Sequence, residues 1–212
     1  MSGTHFGADR AVVDNVPVPL TADRLAEAGR VVAAAFADDP FTTYLYSGSS
    51  RWRGYVWANE VGLKTALPWG ATYVTPTSGI EGVAAFIPPG RYPIPWWLEA
   101  WLYLAGPFRV PLATMLRATR AFAAVSRVHP REPHWYLQTL AVHPDRQRQG
   151  VGSFLIGSTL ERADRDGLPV YLETTKDVNL AYYRRFGFEV VEELSVGGGA
   201  PPVWTMLKAP RA

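Results

Sequence analysis

The stretch His143-Pro144-Asp145-Arg146-Gln147-Arg148-Gln149-Gly150-Val151-Gly152-Ser153 constrains the fold more than any other part of the chain. It follows the apolar run His134 to Val142, which reads as a strand, and it leads into the helical pattern Gly150 to Asp166. A second strand-like run, Pro169 to Thr175, comes directly after. Strand, helix and strand in that order and at that spacing predict a crossover unit with two parallel strands. Two glycines at the mouth of the helix cost conformational entropy and need a reason. One reason is a tight, closely packed turn. The other is an anion held on the unpaired N–H groups of the helix start, where glycine lets a bulky group approach the backbone. Position 155 is Leu, so the pattern is not a dinucleotide fingerprint, and no Gly-Lys-Ser/Thr closes it as a P-loop would.

The rest of the chain reads as alternating short elements. Thr21 is a plausible cap for a helix carrying Leu25, Ala28, Val31, Val32, Ala35 and Phe36 at helical spacing, and Asp38-Asp39-Pro40 stops it. A β-prone piece, Val12 to Val18, comes before. Arg51 to Leu67 is helical, and Ala71 to Thr75 with Ile80 to Ile87 forms a hairpin around Thr77-Ser78-Gly79. Helical pieces follow at Pro95 to Leu104 and Pro107 to Val128. After a short helix, Asn179 to Phe186, the strands Glu189 to Val196 and Val203 to Lys208 make a terminal hairpin. The expectation is one α/β domain over 1–212 with a mixed, mostly antiparallel central sheet and flanking helices.

Composition narrows the function. With 212 residues, 48% of them hydrophobic, the chain can bury a full core. It has no cysteine, which excludes disulfides, thiolate nucleophiles and cysteine metal sites together. A net charge of +2 is too even for a dedicated nucleic-acid binder. The opening MSGTHFGADR has neither a signal-peptide core nor a myristoylation motif, and PIPWWLEAWLYLAG is interrupted by Glu99 and too short to span a membrane. A cytoplasmic protein without membrane or nucleic-acid partners is the expectation. His129 and His134 lack a helix to align them, so no metal is expected.

Gln147-x-x-Gly150-x-Gly152 directly after a strand ending Leu140-Ala141-Val142 resembles the acetyl-CoA signature of the GCN5-related N-acetyltransferase (GNAT) superfamily. Asn179 and Tyr183 four residues apart on the next helix, and the closing Gly187-Phe188, extend the match. AAAFADDP (33 to 40), HPREPHWYLQTLAVHPDRQRQGVGS (129 to 153), YLETT (171 to 175), NLAYYRRFGF (179 to 188) and VWTM (203 to 206) make it most like the puromycin N-acetyltransferase group. The resemblance is dense in the acetyl-CoA half, 134 to 208, and residues 44 to 127 form a divergent acceptor-side region.

The resemblance implies roles. The N–H groups around Arg148, Gln149, Gly150, Val151, Gly152 and Ser153 would hold the pyrophosphate, with Gln147 and Arg146 or Arg148 beside it. The pantetheine arm would pair with an open strand edge at Leu140, Ala141 and Val142, where a main-chain N–H would polarise the thioester carbonyl. Asn179 would share that face with Tyr183, the general acid to the leaving thiolate. As a residue alone, Tyr183 reads equally as an aromatic core filler. Glu173 would be the base, with His134 the runner-up; a strand-end glutamate is otherwise a surface or ion-pair residue. With no cysteine, a cysteinyl acetyl-enzyme is excluded and direct transfer is expected.

The acceptor side is rich in aromatic residues, with 16 between Phe36 and Phe108. Its acidic residues are only Asp38, Asp39, Glu60, Glu81 and Glu99. Trp96, Trp97 and Trp101 make a stripe that serves core packing, a lid or a homodimer face equally well. Asp38 and Asp39 read either as a solvated helix stop or as an attractor for an ammonium group. A small apolar or aromatic amine is the expected acceptor. A lysine or N-terminal protein acetyltransferase and a non-catalytic acyl-CoA sensor are the alternatives.

Overall fold

The structure, a computed structural model, describes residues 16–46, 51–93 and 110–211, the side chains of residues 51–53 excepted. Seven strands form one sheet in the order β1-β2-β3-β4-β5-β7-β6. They are β1 (Val18–Pro19), β2 (Thr72–Val74), β3 (Gly82–Ile87), β4 (Trp135–Val142), β5 (Val170–Thr174), β6 (Phe188–Leu194) and β7 (Val203–Lys208). Every neighbouring pair is antiparallel except β4 and β5. That exception follows from the helix between them, α5 (Val151–Arg165), since parallel strands need a crossover. The other helices are α1 (Leu25–Ala35), α2 (Pro40–Leu45), α3 (Arg51–Ala66), α4 (Leu112–Val128) and α6 (Asp177–Arg184).

Side-chain alternation along the central strands divides the core into two layers. Trp135, Leu137, Val170 and Leu172 point to one face, where they pack against Leu155, Ile156, Leu160 and Ala163 of α5. Val83, Ala85, Ile87 and Ala141 point to the other, against Leu25, Ala28, Val31 and Val32 of α1 and Leu63 and Ala66 of α3. Leu155 and Ile156 are fully buried. Each such side chain contributes about 1.5–3 kcal/mol relative to an exposed one.

The observed elements agree with the periodicity, with one helix that the pattern did not reveal. Asp38-Asp39-Pro40 does end α1, but the same residues also start α2. Asp39 accepts hydrogen bonds from the N–H groups of Phe41 (2.9 Å) and Thr42 (3.2 Å), and Pro40 takes the first helical turn, where its missing N–H costs nothing. Most of the Val12 to Val18 piece, the helix expected at Pro95 to Leu104, and the stripe Trp96, Trp97 and Trp101 lie outside the described residues. No described helix is long and apolar enough to cross a membrane.

Candidate functional site

The sheet opens at its centre. β4 is eight residues long, yet it is in register with β5 only at Trp135–Val170 and Tyr136–Tyr171. On its other side β4 follows β3 to the end, with one irregularity. Phe86 pairs with Leu137 and Ala85 with Thr139, so Gln138 is an extra residue, a bulge. A bulge bends its strand and increases local twist, which turns the second half of β4 away from β5. Gln138 is held there by Thr65 of α3, whose hydroxyl accepts from Gln138 Nε2 at 2.9 Å. Beyond Tyr136, no strand among the described residues pairs with the edge of β4 that faces β5. Leu140, Ala141 and Val142, the residues expected to carry an open edge, lie on that stretch.

The glycine loop closes the end of the opening. Pro144–Arg146 makes a single 3₁₀ turn, and α5 starts at Val151. Gln147 Nε2 donates to the Val142 carbonyl at 3.2 Å, and Gln149 Nε2 donates to the Asp145 carbonyl at 2.9 Å. Both glutamines therefore brace the loop against its own backbone. Arg146 is paired with Glu81 at 3.1 Å, whereas Arg148 is exposed. Arg148 (φ 60°) and Gly150 (φ 85°) both sit in the left-handed region, which is unusual for an arginine. Left-handed residues interspersed in a loop turn successive N–H groups toward one point, the arrangement that binds anions.

The two glycines turn out to have different duties. Gly150 needs its positive φ, and the space where a Cβ would lie is open. Gly152 is helical, and a Cβ there would meet the hydroxyl of Tyr182 at 2.7 Å. The second glycine thus admits the α6 tyrosine against the first turn of α5. The packing reading thus holds at Gly152, whereas the backbone at Gly150 lies open.

Asn179 and Tyr183 share a face of α6, as the spacing predicted. Asn179 Nδ2 donates to Thr174 Oγ1 at 3.0 Å, which docks α6 on the end of β5. Tyr183 is buried beside Tyr182 (5.1 Å between ring centres) and Phe188 (5.7 Å), in the α5 layer of the core. Burial raises its phenol above the ordinary value, so the hydroxyl keeps its proton through neutral pH.

Glu173 lies on the opposite face of the sheet. It alternates with Leu172 and Thr174 on β5 and follows Tyr171, whose ring packs on His129 (4.6 Å) and His134 (5.8 Å). Its Oε1 faces His129 Nδ1 at 3.5 Å, with side-chain exposures of 14% and 2%. Burial first, and the facing Glu173 charge second, push the phenols of Tyr136 and Tyr171 up, so both stay neutral. His134 Nδ1 contacts the Glu132 carbonyl at 2.7 Å, and its Nε2 lies 3.0 Å from His129 Nε2. Burial lowers the His134 pKa and favours the neutral ring. Sequence reasoning considered His129 only as a metal ligand and missed its contact with Glu173. Its signal was two histidines five residues apart just before a strand. Among the described residues no cluster of metal-ligating side chains occurs.

Asp38 and Asp39 are both engaged. Asp39 is buried, capping α2 and accepting from Thr175 Oγ1 at 3.1 Å. Asp38 is exposed and pairs with Lys176 at 2.7 Å. Together they tie the α1–α2 corner to the end of β5.

Residues 97–188 match the sequence model of the acetyltransferase (GNAT) family. The fold is shared with a solved structure described as histone acetyltransferase HPA2 and related acetyltransferase from Corynebacterium glutamicum. That likeness has a TM-score of 0.69 at 24% identity and covers 93% of this chain and 97% of the other. A polyamine N-acetyltransferase from Drosophila melanogaster aligns with a TM-score of 0.63 at 17% identity, over 92% of this chain and all of that one. A mosquito arylalkylamine N-acetyltransferase (like 5b) gives 0.58 at 16% identity, over 92% and 99%. The sequence of residues 97–188 and the fold of the chain are thus both similar to those of GNAT acetyltransferases.

Proposed function

We propose that this chain is an N-acetyltransferase that moves acetyl from acetyl-CoA to the amine of a small apolar or aromatic acceptor, directly, in a ternary complex. The observation that carries the reading is the opening between β4 and β5. It has the glycine loop at its end, Tyr183 on one face of the sheet and Glu173 on the other. The residues present fit the donor: the left-handed Arg148 and Gly150, the open space at Gly150 and the unpaired β4 edge suit a pyrophosphate followed by an amide-bearing arm. Acetyl-CoA, when bound, supplies the acetyl group activated as a thioester.

The chain's own residues then divide the work. Backbone N–H groups from Arg148 to Ser153 bind the phosphates, and Arg148 adds charge. The edge at Leu140, Ala141 and Val142 orients the arm by strand-like pairing. Glu173 takes a proton from the acceptor's ammonium group and frees its lone pair, and Tyr183 gives a proton to the departing sulfur. Asn179 positions the tyrosine helix through Thr174.

Two features support an apolar or aromatic acceptor. The Glu173 face is walled by Tyr92, Tyr136, Tyr171 and the two histidine rings. Asp38 and Asp39, at the end of β5, are already engaged by Lys176 and Thr175. The likeness to the puromycin group agrees with this choice. The test is competitive turnover at equal concentrations of phenylethylamine, a puromycin-like aminonucleoside, spermidine and a lysine peptide, with products identified by mass spectrometry. The aromatic amines are expected to give the higher kcat/KM; preference for spermidine or the peptide overturns the acceptor class.

A further inference from the structure

The acceptor face holds a buried side-chain chain that the roles above do not use: Glu132 carbonyl, His134, His129, Glu173. We propose that the base is not Glu173 alone but the pair His129–Glu173, with His134 as the positioning residue that sets the His129 tautomer. The proposal rests on the reading of Glu173 as the base.

The hydrogen-bonding pattern fixes the protons. The Glu132 carbonyl only accepts, so His134 carries its proton on Nδ1 and donates it at 2.7 Å. In the neutral ring His134 Nε2 is then an acceptor. His129 must therefore carry a proton on Nε2 and donate it across the 3.0 Å contact. That leaves His129 Nδ1 as the nitrogen that faces Glu173 Oε1 at 3.5 Å. Both atoms are buried and neither meets another hydrogen-bond partner in good geometry, although the phenols of Tyr136 and Tyr171 also face the Glu173 carboxylate as donors. Without a proton between them, two lone pairs face each other in a site shielded from water. One proton turns the contact into a charge-assisted hydrogen bond.

The bare pair thus offers one proton two acceptor atoms already set face to face. When the acceptor's N–H bond breaks, its electron pair stays on nitrogen and the proton goes to the Glu173 carboxylate, shared with His129 Nδ1. Tyr92 covers the imidazole, ring on ring at 3.7 Å, which holds it in plane for that contact. The titratable groups facing the pair are His134 and Tyr136, Tyr171 from β5, and Tyr92 from the segment after β3, with Glu192 of β6 acting on Tyr171. Tyr136 and Tyr171 stay neutral, so neither adds a charge beside the pair.

Histidine ring spectra of the isotope-labelled full chain, followed across pH, test this without an acceptor. The expected result is His134 as the Nδ1–H tautomer and the neutral His129 ring as the Nε2–H tautomer, with the His129 Nδ1 resonance displaced by the carboxyl it faces. In Glu173→Gln that Nδ1 resonance moves, while the His134 tautomer stays the same. A His129 ring with its neutral-form proton on Nδ1, or an Nδ1 resonance unmoved in Glu173→Gln, overturns the proposal.

The kinetic arm uses phenylethylamine and acetyl-CoA. His129→Gln is expected to lower the plateau of kcat/KM roughly 10²-fold. The KM for acetyl-CoA stays put. Near wild-type turnover in Glu173→Gln sinks the functional reading itself. An inactive Glu173→Gln beside a His129→Gln with unchanged rate sinks only the pair. The ring spectra need no change at His129, so they decide the matter even where His129→Gln does not fold.

Discussion

The two faces of the sheet at the β4–β5 opening use opposite designs. On the α5 face the proposed site is local in sequence: the loop, the start of α5, and α6 lie within residues 143 to 184, and each candidate position is a fixed step from the next. On the other face the groups come from four separate segments: Tyr92 after β3, His129 after α4, Tyr136 on β4 and Glu173 on β5. On the proposed reading the donor cradle comes from one continuous stretch, so a short motif can carry it. The acceptor wall is assembled by tertiary packing. The first is readable from spacing, while the second appears only when the chain is folded.

Breaking each face in turn sharpens the comparison. The largest effect is expected at the reacting groups. Tyr183→Phe keeps the ring packed on Phe188 but deletes the proton donor, so turnover should fall about 10²–10⁴-fold with CoA affinity by calorimetry nearly unchanged. Because burial raises the Tyr183 phenol, its proton is retained on going alkaline, and the rate of the native chain should hold through the range where a solvated tyrosine ionises. Near wild-type turnover in Tyr183→Phe, with chemistry rate-limiting, would return Tyr183 to the core.

The glycine pair comes next, and here the two positions should behave differently. Gly150→Ala places a side chain at φ 85°, a cost of roughly 1–2 kcal/mol, and it should also weaken CoA binding. Gly152→Ala instead collides with the Tyr182 hydroxyl, a strain of about 1–3 kcal/mol. Adding Tyr182→Phe should restore much of the melting temperature lost in Gly152→Ala, whereas it should do nothing for Gly150→Ala. Equal behaviour of the two glycines would mean that they share one duty after all.

The smallest effects belong to the α1–α2 corner. Asp39→Ala removes the cap of α2 and the Thr175 contact, costing about 1–2 kcal/mol in denaturant unfolding. Asp38→Asn loses an exposed pair and should cost less than about 0.5 kcal/mol. The hydrogen bond from Lys176 lowers the Asp38 pKa in the fold. That small stabilisation is therefore present above the unfolded carboxylate range and fades as pH falls through it. An Asp38→Asn loss as large as that of Asp39→Ala would argue for an ammonium-binding role instead.

The limits of sequence reasoning follow the same division. The order of strands and helices was legible because apolar spacing is a local property, and the parallel β4–β5 pair followed from the intervening helix. Helix α2 was not, since six residues are too few to display a period, and its start doubled as the end of α1. Gly152 reads from sequence as either an anion contact or a packing glycine, and its partner Tyr182 lies 30 positions on, so only folding makes them neighbours. Glu173 was singled out by resemblance. Its contact with His129 across 44 residues, and the bulge at Gln138 that opens the sheet, leave no periodic mark.

The central claim is that the unpaired edge of β4 beyond Tyr136 seats the donor. Amide hydrogen exchange of β4, with and without saturating CoA, tests it most directly. The account predicts added protection confined to the amides of Leu137 to Val142 that face β5 and to the loop from Arg148 to Ser153. CoA binding, verified by calorimetry, that leaves those amides exchanging as before would contradict it.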